Sequence, residues 1–99
     1  MVKPIKVVIK KSTKPEKKLM GVFSLDNGKT RIIHFGAAGM SDFPTHKDEK
    51  RKARYLARHR PRENWNDPLS AGALSRWILW DLPTRRASIQ AFKKRFNLS

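Results

Sequence analysis

The sequence predicts an α+β fold, a three-stranded antiparallel meander followed by three helices in a single domain. Three observations carry this reading: a period of two near the start, an Asn-Gly pair between two apolar runs, and apolar stripes at helical spacing after residue 46. The expected layout is a meander over residues 1–35, a glycine-containing loop over 36–45 and three helices over 46–96.

Taken in order, Ile5, Val7 and Ile9 alternate with Lys6, Val8 and Lys10, which gives one apolar and one largely charged face. A polar break containing Pro15 follows, after which Leu19–Leu25 and Thr30–Phe35 flank Asp26, Asn27 and Gly28. Asn27-Gly28 is a hairpin signal because both central positions of a type I′ turn need positive φ. A two-residue loop there sets Phe23 opposite Ile32 and Val22 opposite Ile33, so both faces of the hairpin carry apolar side chains. One face is expected against the helices, the other against a partner or the chain's own terminus.

Thr45, with Asp48 three residues later, has the form of a helix-capping pair, and a helix is expected from about His46 to Arg60. Its apolar strip is thin, Ala53, Leu56 and Ala57 with Tyr55 beside it, whereas Lys47, Arg51, Arg54 and Arg58 recur on another face. Pro61 ends it. For the second helix Asp67-Pro68 and Ser70 compete as the start. Ala71–Trp80 holds one charge, Arg76, among Leu74, Trp77, Ile78 and Trp80, and should be the most buried element. Thr84 opens a third helix striped by Ile89, Phe92 and Phe96.

Charge narrows the functional classes. The chain has 99 residues and a formal net charge of +15, from 23 Lys and Arg against 8 Asp and Glu. Such a surface repels itself and calls for a polyanionic partner. Cysteine is absent, which excludes disulfides and thiolate metal sites. No run approaches the roughly 20 apolar residues that span a bilayer, and the basic start lacks a signal-peptide pattern, so a soluble intracellular protein is expected.

The cations that could hold phosphates are Lys47, Lys50, Arg51, Arg54, Arg58 and Arg62 around the first helix, Lys10 and Lys11 in the first strand, and Arg85, Arg86, Lys93 and Lys94 in the last helix. The alternative for each is a solvated face. Gly36-Ala37-Ala38-Gly39 joins strand to helix and could offer backbone N–H groups to a phosphate, or simply permit a tight turn. Trp65, in a polar loop, is either an interface aromatic or a cap over the helix junction. His34, His46 and His59 show no metal-ligand spacing, and no nucleophile motif is present, so neither metal, cofactor nor catalysis is expected.

The series His34-Phe35-Gly36-Ala37-Ala38-Gly39 with Ser41-Asp42-Phe43, then His46-Lys47-Asp48, Arg51-Lys52, Arg54-Tyr55, Ala57-Arg58-His59, Glu63-Asn64-Trp65 and Leu79-Trp80, resembles an uncharacterised family of small basic proteins encoded by large double-stranded DNA viruses of eukaryotes. The similarity covers about residues 30–96. It implies a viral setting and no defined activity: a virion protein, or one in the nucleus or cytoplasm of an infected host. Two non-enzymatic functions then follow as expectations. One is sequence-independent binding of double-stranded DNA or another nucleic acid, neutralising or condensing it. The other is a minor capsid component docking on acidic surfaces of capsid proteins.

Overall fold

The sheet faces decide the architecture. The computed structural model of the chain describes residues 3–39 and 47–99. Strands β1 (Pro4–Lys11), β2 (Lys17–Leu25) and β3 (Thr30–Ala37) form an antiparallel sheet in the order β1-β2-β3. Helices α1 (Glu49–His59), α2 (Ala71–Leu74, continued by a π-helical turn over Ser75–Leu79) and α3 (Arg85–Arg95) follow, which makes the fold α+β as the sequence implied.

The register differs from expectation by one residue. Phe23 pairs with Arg31, Val22 with Ile32 and Gly21 with Ile33, because the β2–β3 loop holds three residues rather than two. Gly28 N–H donates to the Leu25 carbonyl (3.0 Å), Leu25 N–H donates to Lys29 O (2.8 Å), and only Gly28 has positive φ (83°). That is a turn followed by a left-handed glycine, the usual three-residue hairpin, and Asn27 instead accepts the Lys29 N–H at 3.0 Å. Because side chains alternate, this slip of one residue carries every β3 side chain to the opposite face relative to β2, so Phe35 and not Ile32 joins the face of Phe23. Val7, Leu19, Phe23 and Phe35 therefore share the inner face and are buried.

Leu74, Ile78 and Leu79 of α2 and its π-turn close on that face, joined by Phe92 of α3 and Leu98. Each such side chain contributes roughly 1.5–3 kcal/mol by leaving water. The buried Ser88 is satisfied, its hydroxyl accepting the Leu82 N–H (3.2 Å), which ties the connection before α3 to the helix itself. Ser70, not Asp67, caps α2, accepting the Ala73 N–H at 3.1 Å, while Asp67 accepts the Leu69 N–H within the preceding turn. Thr84 caps α3 through Ala87 N–H, as its position implied.

Helix α1 starts later than expected. Asp48 is its cap, accepting the N–H groups of Lys50 (3.0 Å) and Arg51 (3.3 Å), and Lys47 lies outside the helix with φ 53°. Thr45 and His46 fall outside the described residues. The buried stripe also differs: Ala53 and Ala57 are exposed, and Tyr55 is the buried residue of the helix. The chain's end lies on a sheet edge rather than a face, since Ser99 N–H donates to Ile5 O and Val7 N–H donates to Ser99 O, both at 3.1 Å. The outer face keeps an open row, Val8–Val22–Ile32, in which Ile32 is 52% exposed.

The expected glycine loop begins later than 36, because β3 continues through Gly36 and Ala37. Gly36 (φ 79°) lies where a Cβ would stand 2.7 Å from Leu79 Cδ1, whereas Gly39 (φ 81°) faces open space. Gly39→Ala should thus cost about 1–2 kcal/mol from the left-handed backbone alone, and Gly36→Ala about 2–5 kcal/mol once overlap is added. In thermal melts Gly36→Ala should fall several degrees further than Gly39→Ala.

Candidate functional site

Local charge placement follows from how the few acids are used. Of the seven described acidic residues, Asp26, Asp48 and Asp67 accept backbone N–H groups, Asp81 pairs with Arg76 and Glu63 with His59. Nineteen of the 23 cations are exposed. On α1 the exposed Lys50, Arg51, Arg54 and Arg58 form one outward face, extended by Arg62 beyond the helix, with Lys47 before it.

Tertiary structure then adds cations from three other elements. A groove of about 380 Å³ is lined by Lys10 and Lys11 of β1, Lys18 of β2 and Arg85 at the start of α3, over Ile9, Leu19 and Ile89. The neighbouring residue Lys17 lines a second cleft together with Arg58. Consecutive residues at the start of β2 thereby join the end of α1 to the start of α3. Arg86 is exposed beside Arg85. Lys93 and Lys94 do not join this group, since eight residues of helix place them about 12 Å further along α3.

The second cleft, about 410 Å³, opens between β3, α1 and the π-turn. Its wall is a pile of three rings: Tyr55 is stacked on Trp80 (centroids 4.4 Å apart, planes 6° from parallel) and on His59 (4.2 Å, 25°). Glu63 Oε1 lies 3.4 Å from His59 Nδ1 and accepts the Trp65 indole N–H at 3.0 Å. Gly72 makes room for that carboxylate, because a Cβ there would stand 2.8 Å from Glu63 Oε2. Arg58, Lys17 and Ser75 complete the polar lining. Burial pushes the Tyr55 phenol up to about 12, with the Glu63 charge adding, while the Ser75 hydrogen bond and the charges of Arg76 and Arg58 oppose it.

Trp65 is built into the junction rather than displayed on the surface. Its carbonyl accepts the Trp77 indole N–H (2.7 Å), and its ring lies 5.3 Å from the Arg76 guanidinium. Arg76 in turn lies 4.2 Å over Trp77, whose ring also carries Arg95 at 3.6 Å. Burial lowers the Arg76 pKa from its ordinary value, and Asp81 at 3.3 Å opposes that shift. The Gly36–Gly39 segment does not form a row of free donors, since Ala38 N–H donates to Glu16 O at 3.0 Å. His34, on the outer face, lies 2.7 Å from the Ser12 hydroxyl. Among the described residues no group of three or more His, Cys, Asp or Glu could hold a metal ion, and no helix is long and apolar enough to cross a membrane.

Residues 7–59, which run from β1 to the end of α1, match the model of a protein family described as of unknown function, DUF5754. The chain belongs to that family. No curated protein and no solved structure matches the chain. The matched span includes Lys10, Lys11, Lys17, Lys18, Tyr55, Arg58 and His59, but stops short of Glu63, the π-turn and Arg85.

Sequence reasoning did not select Lys17, Lys18, Tyr55, His59 or Glu63 as site residues. One local signal was available: His59 and Glu63 are four apart, the spacing at which side chains meet on a helix. The burial of Tyr55 is directly measurable, because it is the chain's single tyrosine. Its phenolate absorbance should rise with a midpoint near pH 12 in the folded protein and near 10 in denaturant. A raised acid pKa also means that this group's contribution to stability is complete below about pH 10 and is lost as pH rises through about 12.

Proposed function

We propose that this protein is a non-enzymatic nucleic-acid-binding module that holds the phosphate backbone through cations without reading base sequence. The observation that carries the reading is the convergence of Arg58, Lys17, Lys18, Lys10, Lys11 and Arg85, from four elements, around two concavities that neighbouring residues of β2 help to line. The outward face of α1 extends this basic end. Four elements held by a common core present their charges at fixed spacing, so phosphate contact need not pay for ordering a flexible tail. In the viral setting that the sequence motifs imply, the bound polyanion is genomic or replicating DNA.

A second reading, a minor virion component docked on acidic capsid protein, is favoured by one feature. The outer sheet face combines the exposed Val8 and Ile32 with exposed Lys6 and Lys10, an apolar centre beside positive charge. The two readings part on what remains after nuclease treatment of opened particles: a genome binder leaves with the DNA, a shell component stays.

Phosphate contact predicts retardation of a short duplex at about 50 mM salt, with affinity falling on a log–log plot by roughly one charge per contact. Arg51→Ala/Arg54→Ala/Arg58→Ala and Lys10→Ala/Lys11→Ala/Arg85→Ala should each reduce that slope by roughly two to three. Lys93→Ala/Lys94→Ala should change it by less than one. Absence of retardation at low salt refutes the reading.

A further inference from the structure

The cleft between β3, α1 and the π-turn has a chemistry that phosphate contact alone does not require. Backbone charge neutralisation needs exposed cations on a convex or grooved surface. It does not need a concavity walled by three stacked rings, with a carboxylate fixed at its side by an indole N–H. At about 410 Å³ the cleft falls within the roughly 300–1,000 Å³ of small-molecule sites.

The ring pile ends on an accessible imidazole. Tyr55 is buried between Trp80 and His59, and the His59 side chain is 40% exposed, so a further planar group can continue the stack on His59. Glu63 fixes that imidazole from Nδ1, and Trp65 fixes Glu63, so the outermost ring is held in place before any ligand arrives. Lys17 and Arg58 line the same cleft and supply the charge for a phosphate. Two of its walls are bare backbone: a side chain at Gly36 would strike Leu79, and one at Gly72 would strike Glu63.

We propose that this cleft takes one unpaired nucleotide, its base stacked on His59 and its phosphate against Lys17 and Arg58. The inference rests on the nucleic-acid reading and narrows it, because a base inside a duplex is covered on both faces by its neighbours and cannot stack on a side chain. Single-stranded segments, ends or gaps are then the preferred partner, with the α1 face and the Lys10–Lys11–Lys18–Arg85 groove holding the flanking phosphates.

The test follows the single tyrosine by NMR with labelled tyrosine, using 5′-AMP, ribose 5-phosphate and inorganic phosphate as probes, alongside retardation of a single strand and a hairpin duplex of equal charge. AMP should move the Tyr55 ring signals saturably in the millimolar range, and ribose 5-phosphate should bind at least about tenfold more weakly. His59→Ala and Arg58→Ala should each weaken AMP about tenfold, and His59→Ala should also bring the single-strand and duplex affinities together. Tyr55 signals that stay still to about 20 mM AMP, or that respond equally to ribose 5-phosphate, overturn the cleft assignment while duplex retardation keeps the broader reading intact. Failure to retard any strand at low salt overturns the nucleic-acid reading and the strand assignment with it.

Discussion

Everything in this molecule hangs on how the nearly uncharged helical stretch, residues 71–80, is wound. It must fill the space over a sheet whose inner face is Val7, Leu19, Phe23 and Phe35, and it does so with a single charge, Arg76, in its ten residues. A regular helix would carry successive residues around at a constant step. Here the turn widens, and Trp80 N–H reaches Ser75 O at 3.1 Å, five residues back. Leu74, Ile78 and Leu79 are all buried in consequence, while Trp80 emerges beside Tyr55. That stack, with the Lys52 ammonium donating to Asp81 O, holds α1 against the rest of the protein. The cleft is the space left beneath this attachment, so the winding of the core segment also decides that a cleft exists.

Charge is managed by geometry because too few acids are present to manage it by pairing. Most described carboxylates serve caps, turns and internal partners, work that a neutral Ser or Thr also does at the starts of α2 and α3. Two arginines are placed on indoles: Arg76 between Trp65 and Trp77, and Arg95 on the other contact of Trp77. An indole face attracts a cation without adding a buried negative charge. Most of the remaining cations face solvent, where salt screens their repulsion. A fold under this constraint would be stabilised by any polyanion that binds its folded state in preference to the unfolded chain.

The two concavities divide the work between them in the proposed function. The groove at the start of α3 has cations over an aliphatic floor and suits phosphate at any sequence. The cleft beside it has cations, rings and one fixed carboxylate, and suits a base as well. Lys17 and Lys18 are neighbours in β2 and serve one concavity each. Membership of DUF5754 extends over the sheet and α1, which supply the ring pile except Trp80, and over Lys17, Lys18 and Arg58.

What the sequence by itself determined was local. Alternation in β1, the loop at Asp26–Gly28, the Thr84 cap and the apolar stretch at 71–80 each depend on residues within one or two turns, and the meander and three helices follow from them. Register was not local enough: two- and three-residue loops share the Asn27-Gly28 signal, and only the ladder selects the pairing of Phe23 with Arg31. The docked side of α1 was not legible either, because Ala53 and Ala57 look as apolar as Tyr55 until Trp80 offers a ring to stack on. The site lay still further out of reach. Lys17, Arg58, Glu63 and Ser75 meet only after the π-turn is packed and α1 is attached, and Arg85 joins Lys10 and Lys11 only once α3 is packed. The strong positive charge was plain in the composition, but its gathering around two concavities was decided by tertiary structure, because periodicity reports which face a residue occupies and not which distant face it will meet.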